Sequence, residues 1–367
     1  MVVYDEFGPE KILEVYHPKV GLHGFVVIDS LALGPGKGGI RLTPTVSIDE
    51  VSRLARAMTW KNSLADLPFG GAKAGIIADP KEITLKKKYE LIKIFAESIK
   101  SICPSLYIAG PDINTTEKEM EIFAKANGDN KSATGKPKSM KGLPHELGST
   151  GLGVYHSTLI AMEHKGLSKK ASIAIEGFGN VGEFVSKYLI ENGYNVVAVS
   201  DSKGVIYNEK GLNFNKLKQI KEKTGSVINY NEGKVIPTHE IIKLKTDVLI
   251  TAAIPDLIKI GDVNSLKFKL IVEGSNIPTT PDVEEILHKK NVLVVPDFVA
   301  NAGGVISSYV EYIGKDEKYM FNLVEEKITR NTELILKNSE KKGCNPRDSA
   351  LEIAEKRVRK YCKVCRI

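Results

Sequence analysis

Short apolar runs alternate with amphipathic stretches along the second half of the chain. The amphipathic stretches at residues 181–192 and 282–289 place their apolar positions at helical spacing. The apolar runs span residues 171–175, 195–200, 247–252, 270–273 and 292–295. Strands that alternate with helices are typical of a mostly parallel, doubly wound sheet. The pattern therefore predicts an α/β fold for this half.

The first half, to about residue 149, mixes strands and helices less regularly. Residues 24–33 alternate in part and are predicted to form a strand. Helices are predicted from the capping pair Ser47 and Glu50 to about residue 64, over residues 85–102, and after the pair Thr116 and Glu119. The glycine-rich stretches 36–39 and 70–75 are predicted to be loops. Residues 316–359 are predicted to be helical and to pack back onto this half.

Composition and charge narrow the functional class. Hydrophobic residues make up 42% of the 367 residues and charged residues 26%, which is typical of a globular protein and excludes wholesale disorder. Only 4 cysteines are present, so we expect a reducing, cytoplasmic setting and no disulfide framework. Cys362 and Cys365 lack a second ligand pair, so no metal site is predicted. The net charge of +7 is spread out, and neither a membrane nor a nucleic-acid partner is expected.

A glycine fingerprint lies between the predicted strand at 171–175 and the helix that follows it. Gly177 permits a tight turn, Gly179 lets the backbone approach a pyrophosphate, and Gly182 lets helix and strand pack closely. Asp201 ends the next strand, 24 residues after Gly177, where an acidic residue binds ribose hydroxyls. This carboxylate favours NAD, although Lys203 leaves NADP open. A tight turn without a ligand is the simpler alternative.

Three lysines of the first half lie in settings unusual for surface lysines. Lys37 and Lys73 stand among glycines, and Lys61 continues the apolar stripe 51, 54, 58, 61 of a predicted helix. A lysine on a core-facing helix position is costly unless it meets an anion. Clustered lysines would bind carboxylates and lower the pKa of at least one of them, which would then serve as a base. Asp112 is the candidate proton-relay partner, and surface lysines plus a turn aspartate are the alternative.

Taken together, these motifs resemble the glutamate/leucine/phenylalanine/valine dehydrogenase superfamily, and within it most closely the glutamate dehydrogenases. The resemblance runs from about residue 34 to residue 311. It rests on GPGKGGIR at 34–41, MTWKN at 58–62, LPFGGAK at 67–73, PDINT at 111–115, the glycine fingerprint at 177–182 and NAGG at 301–304.

The resemblance implies two α/β domains with a cleft between them. Residues 1–149, completed by a C-terminal helix at about 335–367, would bind substrate and form oligomers. Residues 150–334 would be a Rossmann-type dinucleotide-binding domain. The family also implies homo-oligomers, with a hexamer as the expected form.

The resemblance also implies a role for each site residue. Lys73 would be the catalytic lysine and Asp112 the proton shuttle. Lys61 would hold the α-carboxylate of the substrate and Lys37 its side-chain carboxylate. The other implied contacts are Gly110, Val305 and Ser308 for the substrate, and Gly177, Phe178, Gly179, Asn180, Val181, Gly182, Asp201, Thr150, Asn276 and Asn301 for the cofactor.

The expected substrate follows from the positive charge of Lys37. The resemblance implies an apolar residue at this position in the branched-chain and phenylalanine enzymes, whereas two lysines suit a dicarboxylate. We therefore expect oxidative deamination of L-glutamate to 2-oxoglutarate and ammonium with NAD(P), and the reverse reaction. A branched-chain amino acid dehydrogenase and a non-catalytic regulatory paralogue remain as alternatives.

Overall fold

The computed structural model describes residues 2–144 and 147–362 and divides the chain into two units. The first unit comprises Met1–Leu147, Val305–Met320 and Ile353–Ile367, and the second comprises Gly148–Gly304 and Phe321–Glu352. Each unit is built on its own sheet. The prediction of two α/β domains is confirmed.

A five-stranded sheet forms the centre of the first unit, in the order β1-β2-β4-β3-β5. The strands β3, β4 and β5 run parallel, whereas β1 pairs with β2, and β2 with β4, in antiparallel fashion. The strands are β1 (Lys11–His17), β2 (Leu22–Ser30), β3 (Gly36–Thr43), β4 (Gly70–Ile77) and β5 (Tyr107–Pro111), and the helices are α1 (Ile48–Leu64), α2 (Leu85–Ser98) and α3 (Glu117–Asn127).

The two faces of this sheet are covered by different helices. Val26 and Ile28 of β2 join the core formed with α2 and α3, whereas Val27 joins the core formed with α1. Successive side chains of a strand point to opposite faces, so α1 lies on one face and α2 and α3 lie on the other. Ser47 and Thr116 cap α1 and α3 as predicted; Thr116 and Glu119 form a full capping box, whereas the side chain of Glu50 bonds Arg41 instead.

The two glycine-rich stretches predicted to be loops are strands, and that prediction was wrong. They form β3 and the start of β4, which pair in parallel. A Cβ atom on Gly38 would lie 1.6 Å from the carbonyl oxygen of Ala72, so only glycine fits there. The glycines serve close packing between strands and not turn formation.

A seven-stranded sheet forms the second unit, in the order β12-β11-β10-β6-β7-β8-β9. The first five strands of that order are parallel, and β8 and β9 add an antiparallel edge that the sequence did not predict. The strands are β6 (Ile173–Glu176), β7 (Val196–Asp201), β8 (Gly204–Tyr207), β9 (Lys234–Ile236), β10 (Val248–Thr251), β11 (Leu270–Glu273) and β12 (Leu293–Val295). The helices before the C-terminal region are α4 (Ser149–His164), α5 (Asn180–Glu191), α6 (Phe214–Thr224), α7 (Pro281–Lys289) and α8 (Asp297–Ala300).

The structure divides the C-terminal helices differently from the sequence prediction. These helices are α9 (Gly303–Tyr312), α10 (Glu317–Lys342) and α11 (Pro346–Tyr361). Most of α10 belongs to the second unit, where Thr332 bonds Ser157 of α4. Only residues from 353 onward return to the first unit, where Ser63 donates to the carbonyl of Ala354. An amphipathic pattern shows that a helix is buried on one face but not which sheet covers it.

Three further observations concern the C-terminal residues, membrane-spanning helices and metal sites. Residues 363–367 of the predicted C-terminal helix, including Cys365, lie outside the described residues. No helix in the described part of the chain is long and apolar enough to cross a membrane. Within residues 2–144 and 147–362, no group of three or more His, Cys, Asp or Glu side chains is placed to hold a metal ion.

Candidate functional site

Three adjacent parallel strands bring several predicted site residues of the first unit together. Lys37 lies on β3, Lys73 on β4 and Gly110 on β5, and Asp112 follows directly after β5. The Nζ atom of Lys73 lies 3.1 Å from Oδ2 of Asp112. These residues are far apart in sequence, and the parallel pairing of β4, β3 and β5 is what makes them neighbours.

Asp112 is held by two cations. Its Oδ2 atom accepts from Nε of Arg41 at 3.1 Å as well as meeting Lys73, and Arg41 in turn donates to Glu50 at 2.6 Å. Burial by itself raises the pKa of the Asp112 carboxyl, but Lys73 and Arg41 outweigh it and the pKa lies below its usual value. Asp112 is therefore held as an ionised carboxylate between two cations.

Lys37 is a buried ammonium with one hydrogen bond in the described structure, to the carbonyl oxygen of Ala109 at 2.9 Å. Burial lowers its pKa to about 7, and Lys73 and Lys136 act in the same direction, whereas Glu311 opposes them. A Cβ atom on Gly110 would lie 2.5 Å from Nζ of Lys37, so the glycine makes room for this ammonium.

Glu311 and Lys136 adjoin this group, and sequence reasoning missed both. Their side chains form a buried ion pair at 2.5 Å, and Glu311 also accepts from the backbone N–H groups of Gly135 and Leu143. Glu311 lies on α9, which also carries Val305 and Ser308, both half-buried. The spacing 305, 308, 311 places all three on one helix face and could have drawn attention to Glu311; no sequence signal marks Lys136.

Lys61 lies half-buried near the end of α1, at the edge of its buried face. The predicted stripe 51, 54, 58, 61 is only partly right: position 51 is buried, but positions 54, 58 and 61 are half-buried, and Thr59 and Asn62 are buried in their place. The reason is polar packing: Thr59 donates to Asp29 at 2.5 Å and Asn62 donates to the carbonyl of Gly70 at 2.7 Å. A stripe of apolar residues could not reveal a face that buries hydroxyl and amide groups.

The glycine fingerprint of the second unit joins β6 to α5. Gly177 has a φ of +98°, and a Cβ atom on Gly182 would lie 1.9 Å from the carbonyl oxygen of Gly177. No atom lies within 4 Å of the corresponding position on Gly179, which opens α5 without a side-chain cap. Phe178 is buried, and Asn180 and Val181 begin the helix.

This arrangement fits a dinucleotide. The turn follows β6 at the point where the sheet order reverses between β6 and β10, which is where doubly wound folds bind ligands. The open space at Gly179 lets a pyrophosphate approach, and the uncapped N–H groups of α5 with its dipole would bind that anion.

Thr150, Asn276 and Asn301 lie near one another in the second unit. The Nδ2 atom of Asn301 donates to Oδ1 of Asn276 at 2.9 Å and to the carbonyl of Gly274 at 3.3 Å. The hydroxyl of Thr150 lies 3.1 Å from where a Cβ on Gly304 would be. The Oδ1 atom of Asn301 is buried with no hydrogen-bond partner among the described residues, which fits an amide donor of a bound nicotinamide.

Asp201 ends β7 as predicted, but its carboxylate is already engaged by the protein. It accepts from Nζ of Lys221 and the N–H of Val227, both at 2.8 Å, and from the hydroxyl of Ser226 at 3.0 Å and the N–H of Lys203 at 2.9 Å. Burial raises the pKa of Asp201, but these donors outweigh it and the pKa is lowered. Its negative charge is therefore balanced by Lys221, which the sequence could not show.

Comparison with known proteins gives family matches over both parts of the chain. The Glutamate/Leucine/Phenylalanine/Valine dehydrogenase family model matches residues 142–364, and the model of the Glu/Leu/Phe/Val dehydrogenase dimerisation domain matches residues 9–127. The chain is 40% identical over 352 residues to a glutamate dehydrogenase of Aeropyrum pernix, an alignment that covers 91% of this chain and 84% of the relative.

Two other relatives add detail. The chain is 43% identical over 292 residues to an NADP-specific glutamate dehydrogenase of Saccharolobus shibatae, covering 77% of this chain and 68% of that protein. Among solved structures, the hetero-hexameric glutamate dehydrogenase from Thermus thermophilus in its Leu-bound form matches with a TM-score of 0.85 at 26% identity, covering 98% of this chain and 90% of that one.

Proposed function

Since this chain belongs to the glutamate/leucine/phenylalanine/valine dehydrogenase family and is an NAD(P)-dependent amino acid dehydrogenase, we propose that its substrate is glutamate. It interconverts L-glutamate with 2-oxoglutarate and ammonium.

The observation that carries this proposal is the buried ammonium of Lys37. With one hydrogen bond to a backbone carbonyl, Lys37 has donors left for an anion. The distal carboxylate of glutamate would meet it, whereas an apolar side chain would leave the charge buried and unpaired at a cost of about 2–5 kcal/mol. A branched-chain substrate is therefore disfavoured.

Substrate binding divides between the two ends of glutamate. Lys61 holds the α-carboxylate. Lys37 holds the distal carboxylate, with Ser308 as a further donor and Val305 and Gly110 shaping the space around it. Two carboxylates matched to two ammonium groups fix the orientation of the substrate and not only its affinity.

Proton transfer falls to Asp112 and Lys73. Asp112, ionised because of its two cations, takes a proton from the substrate ammonium. Lys73, 3.1 Å from Asp112 and in its neutral form after losing its proton to solvent, takes a proton from the water that attacks the iminium carbon, and Asp112 returns its proton to the nitrogen so that ammonia can leave. The nicotinamide, when bound, would accept the hydride that leaves the substrate Cα. Gly177, Gly179 and Gly182 would hold its pyrophosphate, and Thr150, Asn276 and Asn301 its carboxamide end.

Replacing Lys73 tests this assignment. In Lys73→Ala, kcat should fall by roughly 10²–10⁴-fold because the general base is gone. The dissociation constant for 2-oxoglutarate, measured by calorimetry, should change little because Lys37 and Lys61 remain. The exposed Lys125→Ala, which loses only a surface ion pair with Glu121, is the control and should keep full activity. Full turnover in Lys73→Ala would refute the assignment.

The cofactor is proposed to be either NAD or NADP. A free carboxylate at Asp201 would repel the 2′-phosphate of NADP, but Lys221 balances that charge at 2.8 Å. The exposed Lys203, two residues on, adds a cation for the phosphate. The NADP-specific relative from Saccharolobus shibatae supports including NADP.

The proposal extends to the oligomeric state of the protein and to its cellular compartment. We propose a homo-oligomer, with a hexamer as the expected form: six subunits agree with the hetero-hexameric description of the Thermus thermophilus structure, and association agrees with the position of β1 at a sheet edge. The free thiols of Cys103 and Cys344 fit a reducing cytoplasm, whereas Cys362 is disulfide-bonded and does not.

A further inference from the structure

A buried charge cluster in the second unit is not used by the proposed chemistry. Its centre is the guanidinium of Arg347, in the first turn of α11. One nitrogen, Nη2, lies 3.0 Å from Glu273, 2.6 Å from Glu284 and 3.1 Å from Asp297, and Nε donates to Glu284 at 2.8 Å. The guanidinium also lies 5.4 Å from the centre of the Phe298 ring. One arginine therefore joins β11, α7 and α8.

The cluster holds more negative than positive charge. Three carboxylates face one guanidinium, and Glu273 and Glu284 are almost fully buried. Burial raises the pKa of Glu273 well above its usual range, and Glu284 and Asp297 add to the rise. Burial likewise raises the pKa of Glu284. The cluster is therefore stable only while Arg347 is present and a proton is retained.

Two of the carboxylates lie where β11 ends and α8 begins, each a few residues before a proposed nicotinamide contact. Glu273 is the last residue of β11, three positions before Asn276, and Asp297 opens α8, four positions before Asn301. These two positions are tied together, because the N–H of Asp297 donates to Glu273 and the N–H of Ile277 donates to Asp297, both at 3.0 Å. The position of Asn276 relative to Asn301 therefore depends on this cluster.

We propose that Arg347 is a positioning residue of the dinucleotide site, which fixes Asn276 and Asn301 by gathering Glu273, Glu284 and Asp297 onto one guanidinium. The inference rests on the proposed function, since it assumes that the two asparagines contact the cofactor. Arg347 itself reaches the cofactor only through them. A lysine could keep the charge but would lose the second donor, Nε, that Arg347 gives to Glu284.

Substitutions at Arg347 and Arg357 form a matched pair on one helix. Arg357 also lies on α11 but donates to the carbonyls of Ser63 and Leu64 in the first unit. We expect Arg347→Met to weaken NADPH binding, measured by nicotinamide fluorescence, by roughly tenfold or more, and Arg347→Lys to weaken it less. The KM for 2-oxoglutarate should stay within about twofold, since its contacts lie elsewhere. Arg357→Lys should leave NADPH binding unchanged.

A fourth variant separates positioning from folding. Glu284→Gln keeps Oε1 for Arg347 and removes one buried charge, so it should fold and bind NADPH normally. Because the carboxyl pKa values of Glu273 and Glu284 are raised in the folded protein, the wild type should lose stability as pH rises above 4.5, the usual value for these groups. The loss of stability with pH should be less steep in Glu284→Gln. Folded Arg347→Met and Arg347→Lys with wild-type NADPH affinity would overturn the inference. A wild type that binds no NAD(P)H would overturn the proposed function and this inference with it.

Discussion

Lys37 shows how one side chain acquires a function from its surroundings. Its ammonium is buried, with a pKa of about 7 and a single backbone acceptor in the described structure. In free solution a lysine keeps its proton far above this pH. Here the proton is held only as long as an anion compensates for the lost water. The residue is therefore suited to sense whether a substrate carries a second carboxylate.

The affinity for 2-oxoglutarate should fall as pH rises. Only the protonated form of Lys37 attracts the distal carboxylate, and the lowered pKa means that this form is lost above pH 7 in the free protein. The dissociation constant should rise by up to about tenfold per pH unit between pH 7 and 9, because it scales with the inverse of the competent fraction. Titration calorimetry across this range checks the slope. Lys37→Met should bind weakly and show little pH dependence; a flat wild-type profile would contradict the assignment.

Lys221 should set the balance between the two cofactors. In Lys221→Met the Asp201 carboxylate loses its ammonium partner and its charge opposes a 2′-phosphate. We expect kcat/KM for NADPH relative to NADH to fall by roughly tenfold. The control is Lys216→Met. Lys216 lies on the same helix as Lys221, and its substitution removes an exposed ion pair with Glu232. An unchanged ratio in both variants would show that Asp201 does not face the 2′ position.

Sequence reasoning located residues whose type was unusual for their setting. Lys37 and Lys73 stand out because lysines among glycines need a chemical reason, and Asp112 stands out as their candidate proton-relay partner. The structure brings the three residues together. Sequence reasoning could not find Lys136, which stands in an ordinary turn sequence and gains its importance from Glu311, 175 residues away. Nor could it show that Asp201 is neutralised by a helix 20 residues on. Pairing between distant residues leaves no local pattern.

At the scale of elements, the largest error concerned glycine. The stretches 36–39 and 70–75 were predicted to be loops because glycine usually weakens strands. In the structure they are paired strands whose glycines let neighbouring backbones come close. The signals that did work were local ones: the caps at Ser47 and Thr116 and the alternation of β and α elements in the second half.

Gly71 should tolerate no side chain. It lies on β4 two residues before Lys73, and its Cβ would stand 2.1 Å from the hydroxyl and 2.3 Å from the backbone nitrogen of Thr59. Gly71→Ala should lower the free energy of unfolding by about 1–3 kcal/mol or more and reduce activity, because α1 must move away from β4. Denaturant titration measures the first effect.

Gly261 offers the matched control for that substitution. It is exposed, and no atom of the described residues outside its chain neighbours lies within 4 Å of its Cβ position. Gly261→Ala should change the free energy of unfolding by no more than about 1 kcal/mol in either direction. Equal effects of the two substitutions would mean that α1 and β4 are not as closely packed as described.

At the scale of the whole molecule, the sequence predicted two α/β domains, and the structure and the family match confirm them. The path of the C-terminal helices between the units could not be predicted. Arg347 and Asn345 hold the start of α11 to carboxylates of the second unit, whereas Ala354 and Arg357 bond residues of the first. The amphipathic pattern of a helix is the same whichever sheet it covers.

We propose that this dehydrogenase acts on glutamate because Lys37 requires a second carboxylate. The most direct measurement follows NADH and NADPH absorbance in the presence of ammonium and either 2-oxoglutarate or 4-methyl-2-oxopentanoate. The account predicts turnover with 2-oxoglutarate at a kcat/KM well above that of the branched acid, and a loss of that preference in Lys37→Leu. Turnover with the branched acid alone, or none with either acid in a folded protein that binds cofactor, would contradict it.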